Sequence, residues 1–125
     1  MAEQRFLDSH EWHQLDGNLV TLGLSRFAVD ELTDVTFVEL PEVGDELTAG
    51  ESIGEIESVK ATSELYTGVS GTVVEVNDKV VEDPSLINED PQGDGWLLRI
   101  EAGNPSELDK LMSREDYDQK YPAEG

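Results

Sequence analysis

The most constraining feature is a succession of short segments in which apolar and polar residues alternate, each cut off by a glycine, proline or Asn-Asp turn. In Leu19–Leu24, Val20, Leu22 and Leu24 share one side, the mark of a strand with one buried face. Val35–Leu40 repeats the pattern, with Val35 and Phe37 expected on one side and Thr36, Val38 and Leu40 on the other; Pro41 ends it and Val43-Gly44-Asp45 turns the chain. Ser52–Ser58 and Ala61–Thr67 are strand candidates flanking Val59-Lys60, and Thr72–Val76 ends at Asn77-Asp78. Trp96, Leu98 and Ile100 alternate with Leu97, Arg99 and Glu101 in a last strand. Many short strands at close spacing predict a mainly β fold, an all-β sandwich or barrel.

Helical signals are few. Ser25 reads as the N-cap of a helix over Arg26–Leu32. Asp83–Gly95, with two prolines, two glycines and several Asn/Asp, reads as a long loop. After Pro105, Leu108, Leu111 and Met112 fall on one helical face, and Ser113-Arg114-Glu115-Asp116 reads as a capped start to a second short helix. A chain of 125 residues is expected to form a single domain, with a core over about 6–103 and a helical tail over about 105–121. Glu46–Glu57 set against Glu64–Glu75 matches at Glu, Leu, Gly, Ser and Glu, a weak internal repeat whose copies lie either side of Lys60. Two similar β segments meeting there would place Lys60 at a hairpin tip.

Composition then bounds the function. The 29 acidic against 8 basic residues leave a net charge of −21, which excludes nucleic-acid phosphates and a basic membrane-binding patch. No cysteine is present, so disulfides, thiolate catalysis and Cys-based zinc sites are excluded. No apolar run is long enough to span a bilayer, and the N-terminus lacks a hydrophobic signal core, so a cytoplasmic location is expected. Between Phe27 and Leu98 there are 18 acidic residues and two basic ones, Lys60 and Lys79, so this stretch carries 16 of the 21 net charges. Either a solvated acidic surface or an acidic docking face accounts for that concentration.

No catalytic constellation emerges. His10, Glu11 and His13 would need further ligands to hold zinc, and their alternative is an ordinary N-terminal strand or loop. Asn88–Gly93 starts like a calcium loop, but Arg99 stands at its twelfth position and Pro91 breaks its turn. Lys60 lies among Glu55, Glu57 and Glu64, which favour its ammonium form and argue against a nucleophilic amine. It is either an exposed lysine offsetting carboxylates or a lysine displayed for another enzyme to modify; the small flanking residues Ser58 and Ala61, around Val59-Lys60, fit an exposed tight turn.

The segment Glu57-Ser58-Val59-Lys60-Ala61-Thr62-Ser63-Glu64-Leu65-Tyr66, with Val69-Ser70-Gly71, resembles the lipoyl-lysine motif of the glycine cleavage system H-protein family. Ser9-His10-Glu11-Trp12, Phe37–Gly44 (FVELPEVG), Leu86-Ile87-Asn88 and Asp94-Gly95-Trp96 extend the likeness from about Phe6 to Tyr121. Biotin domains resemble Met-Lys-Met at the tip, and lipoyl domains of 2-oxoacid dehydrogenases Asp-Lys-Ala, where this chain has Val-Lys-Ala. The resemblance implies a barrel-sandwich hybrid of short antiparallel strands with a short internal helix and a C-terminal helical tail. It implies a non-catalytic carrier, a monomer, with lipoate joined to Lys60 as N6-lipoyl-lysine. Its implied partners are lipoate-attaching enzymes, a PLP-dependent glycine decarboxylase (P-protein), an aminomethyltransferase (T-protein) and dihydrolipoamide dehydrogenase (L-protein). An H-like lipoyl or octanoyl relay in lipoate assembly is the alternative. Matching positions suggest that Ser9, Glu11 and Glu64 line a cleft for the loaded arm, with Phe27 near it. Three departures stand out: Gly68 for a usual proline, expected to loosen that turn; Phe27 for a polar aromatic or histidine; and Thr33 for a common glycine.

Overall fold

The computed structural model describes residues 4–7, 9–91 and 93–121. Every strand pairing is antiparallel, and the strands form two sheets. The expected strands appear as β3 (Leu19–Leu24), β4 (Val35–Glu39), β6 (Ser52–Ser58), β7 (Thr62–Tyr66), β8 (Gly71–Val76) and β9 (Leu98–Ala102), and β2 (Glu11–Asp16) precedes them. Three very short strands complete the set: β1 (Gln4–Phe6), β5 (Glu46–Leu47) and β10 (Met112–Ser113). The larger sheet runs β10-β1-β2-β3-β9-β8-β5, and the smaller β4-β6-β7. Leu22, Ile56, Leu65, Leu98 and Ile100 from the two sheets are fully buried in one core, which makes the fold mainly β.

Lys60 sits where the repeat predicts. The first copy passes from β5 in the larger sheet to β6 in the smaller one; the second passes from β7 back to β8. The two crossings bind each other, Gly50 N–H to Thr67 O at 2.7 Å and Thr67 N–H to Glu51 O at 3.3 Å. The β6–β7 hairpin is thereby gripped at its base.

Helix α1 (Arg26–Leu32) begins as expected, with the Ser25 hydroxyl accepting the Ala28 N–H at 3.2 Å. The expected loop over Asp83–Gly95 is instead interrupted by α3 (Ser85–Glu89), which follows another short helix, α2 (Asp78–Glu82). Each has only five residues, too few for periodicity to register, and each is held by local caps and one buried anchor. Asn77 accepts the Lys79 N–H, Asp83 accepts the Ser85 N–H, and Val80 and Ile87 are buried. The C-terminal region also departs from a simple helical tail. Pro105–Lys110 is a 3-10 helix and Met112 lies in β10 against Phe6; only Arg114–Lys120 (α4) is α-helical, started by Ser113 as read. Tyr117 of α4 stacks on Phe6 with ring centroids 4.2 Å apart, closing a second apolar cluster with Trp12.

β4 also differs from its reading. Val35 and Val38 are buried while Thr36 and Phe37 are exposed, because the register with β6 shifts between Val35 and Phe37. This bulge breaks the two-residue period and turns Phe37 outward.

Candidate functional site

The β6–β7 hairpin ends in a four-residue turn over Ser58-Val59-Lys60-Ala61. The Ser58 N–H donates to Ala61 O at 2.8 Å, and no residue of the turn has positive φ. Two-residue hairpin turns ordinarily need left-handed backbone. Here the Ser58 hydroxyl compensates: it accepts the Lys60 N–H at 3.2 Å and the Ala61 N–H at 3.0 Å, and donates to Ala61 O at 3.0 Å. Val59 N–H reaches out of the hairpin to Asp34 O at 3.1 Å. Ser58 thus organises the tip, beyond the small size that draws attention to it in the sequence. Lys60 is exposed, and among the described residues it forms no ion pair. Exposure suits both readings of Lys60, the lysine that offsets carboxylates and the lysine displayed for modification. Glu55 and Glu64 face each other across β6–β7. A solvent-facing amine on a braced turn fits covalent attachment of an acyl group, because nothing in the chain must be displaced to reach it.

Three of the four expected cleft residues come together at the start of β2. Glu11 is fully buried. One of its carboxylate oxygens accepts the Ser9 hydroxyl and the other accepts the Tyr66 N–H at 2.7 Å. The Tyr66 hydroxyl donates to Glu64 at 2.9 Å, so Tyr66 links the two glutamates. Burial raises the Glu11 carboxyl from 4.5 to about 7, against the lowering pull of the Ser9 hydroxyl and the Tyr66 N–H. The hydrogen bond to Glu64, followed by its charge, raises the Tyr66 phenol. Phe27 stands apart from this chain of bonds. It packs on Tyr121 at 5.3 Å and at 4.8 Å on His10, the residue between Ser9 and Glu11.

The two histidines serve different contacts. His10, at φ 81°, has Nδ1 2.7 Å from the Tyr117 hydroxyl, which lies 2.7 Å from the Ser25 hydroxyl that caps α1. His13 is fully buried, and its Nε2 accepts the Gly68 N–H at 2.9 Å. Burial lowers its pKa from 6.5 to about 4, against the raising effect of the Arg5 and Glu11 backbone carbonyls. The Gly68 turn is therefore tied down rather than loosened, since a proline would lack the N–H that His13 receives. Asn88, from the supposed calcium loop, donates to Thr33 O and accepts the Val35 N–H at 2.9 Å, a structural clasp between α3 and β4. Thr33 has φ 63°, which explains why a glycine would suit that position.

The family model described as Glycine cleavage H-protein matches residues 4–124. The chain belongs to the glycine cleavage H-protein family. The glycine cleavage system H protein of Carboxydothermus hydrogenoformans is 51% identical over 121 residues, covering 97% of this chain and 93% of that protein. A probable glycine cleavage system H protein of Haloarcula marismortui is 53% identical over 113 residues, covering 90% and 89%. The crystal structure of a glycine cleavage system H protein from Mycobacterium marinum superposes with a TM-score of 0.85 at 36% identity, covering 97% of this chain and 98% of that one. Tyr66 and Tyr117 are the members of the site that sequence reading does not single out, and His10 is weighed there only as a metal ligand. Tyr66 lies inside the quoted motif, but its partner Glu11 is 55 residues away, and His10 and Tyr117 are separated by 107.

Proposed function

We propose that this chain is the lipoyl carrier of a glycine cleavage system, with Lys60 as the attachment residue. The observation that carries the reading is the position of Lys60: exposed, without an ion pair among the described residues, and within a turn that Ser58 braces. Attached lipoate would supply a dithiolane whose sulfur takes up the aminomethyl group of glycine from the decarboxylase and yields it to the aminomethyltransferase. The chain itself breaks no bond. It works as a carried substrate, visited by the decarboxylase, the aminomethyltransferase, the dihydrolipoamide dehydrogenase and the enzyme that attaches lipoate.

Ser9, Glu11 and Glu64 give this role a resting place for a cationic group. Exposed Glu64 would offer the acceptor to a protonated amine, while Glu11, buried with its two oxygens engaged by Ser9 and Tyr66, would act beneath it through its charge. A Glu11 that titrates near neutrality releases its proton as the cation arrives.

Intact-mass measurement on protein from lipoate-sufficient cells tests the assignment. A lipoyl increment mapped to Lys60 is expected, and Lys60→Arg is expected to abolish both the increment and glycine oxidation in a reconstituted system. Glycine oxidation that survives Lys60→Arg refutes the carrier reading. Loading by the decarboxylase separates a glycine-cleavage carrier from a relay used only in lipoate assembly.

A further inference from the structure

Beside the Lys60 hairpin lies an apolar groove that the carrier role does not use. Phe37, Val43 and Val81 are 49%, 63% and 46% exposed. They line one concavity of about 430 Å³ between β4, the turn after Pro41 and α2. Single exposed apolar side chains are ordinary, but three converging on one depression mark a contact surface. The exposure of Phe37 is built in: the β4 bulge turns it away from the side it would share with Val35. The rim is of one sign. Glu39, Glu42 and Asp78 line the groove, and no lysine or arginine does.

Its position relative to Lys60 narrows the partner. Phe37 pairs with Glu57, three residues before Lys60, and Glu39 with Glu55, so the near edge of the groove lies about 10 Å along the strand from the tip and the rest runs away from it. An enzyme that acylates the bare amine must draw Lys60 into its own active site, so its surface has to meet the strands beside the tip. Enzymes acting on the far end of a long arm are released from that requirement. Resting on the carrier reading, we propose that the Phe37–Val43–Val81 groove docks the enzyme that acylates Lys60, receiving an apolar side chain flanked by lysines or arginines. The acidic rim then steers the approach and the apolar floor holds the complex.

The test uses the full chain with bare Lys60 from lipoate-starved cells, with a lipoate–protein ligase, ATP and lipoate, and intact mass as readout. Phe37→Ser is expected to raise KM about tenfold with kcat within about twofold, the loss of one half-buried aromatic contact. Val43→Ser, in a turn remote from the core, is a second apolar probe that does not depend on β4 folding. The triple variant Glu39→Gln, Glu42→Gln, Asp78→Asn is expected to raise KM and flatten its salt dependence. A control triple outside the groove, Asp16→Asn, Asp109→Asn, Glu115→Gln, removes the same charge and is expected to change neither. Unchanged KM in the Phe37 and Val43 variants, a fall confined to kcat, or an equal effect of the two charge triples overturns the docking proposal. Failure of the wild-type chain to be acylated at all counts against the carrier reading instead, so the two are distinguished.

Discussion

Replacing Glu11 with Gln is expected to expose a pair of opposed pH effects hidden inside β2. Glu11 and His13 lie two residues apart in that strand, and both are fully buried. The Glu11 carboxyl is raised from 4.5 to about 7, so between these values the folded chain holds a proton that the unfolded chain has lost. Stability from this group therefore falls as pH rises through that window. His13 is lowered from 6.5 to about 4, so the unfolded chain holds the extra proton there and stability rises with pH. Each full shift corresponds to roughly 3 kcal/mol. Between pH 5 and 8, above the pI of about 4.1, Glu11 contributes a loss of about 2.5 kcal/mol and His13 a gain of about 2 kcal/mol. The two nearly cancel. Urea titrations of wild type, Glu11→Gln and His13→Gln at half-unit pH steps measure this directly. Taking each variant minus wild type removes the contribution of the other acids. That difference should rise by about 2.5 kcal/mol from pH 5 to 8 for Glu11→Gln, and fall by about 2 kcal/mol for His13→Gln. Differences flat to within about 0.5 kcal/mol would refute the assignment of these two titrations.

Three further perturbations read other parts of the molecule. Thr33→Gly relieves a β-branched residue at φ 63° and should stabilise the fold by about 1 kcal/mol by urea midpoint, after the added freedom of glycine in the unfolded chain. Gly68→Pro deprives His13 of its donor and drives ring atoms toward Leu111, whose Cδ1 would lie 2.8 Å from an added Cβ; a thermal denaturation series should show at least about 2 kcal/mol lost. Ser58→Ala removes three hydrogen bonds at the hairpin tip; amide exchange at Lys60 and Ala61 should quicken about tenfold while global stability changes by less than about 1 kcal/mol.

The β6–β7 hairpin was legible because its information is local. β6, Val59-Lys60 and β7 form one contiguous motif, and the copies either side of Lys60 lie where the repeat places them. Ser25 and Ser113 were legible as caps for the same reason, since each bonds an N–H three residues on. β1, β5 and β10 were not, because strands of two or three residues exist only through partners distant in sequence. The face of β4 was misread because one bulge inverts every later side chain, and alternation carries no sign of it. Glu11 drew attention by resemblance, but its elevated pKa comes from burial, held against the lowering pull of the distant Tyr66 N–H, and its neighbours in sequence disclose neither.

The bond from Val59 N–H to Asp34 O bears on how fast a carrier can work. A tethered group explores a volume fixed by its own length and by the wandering of its anchor. Pinned to the joint between α1 and β4, Lys60 as an anchor would add little wandering, so the end of an arm attached there would keep nearly its full local concentration at a docked active site. Slack in the hairpin would dilute it, since effective concentration falls roughly as the −3/2 power of tether length. On the proposed carrier reading, a single backbone hydrogen bond would thus shorten the search of every transfer made from Lys60, without touching any reacting atom.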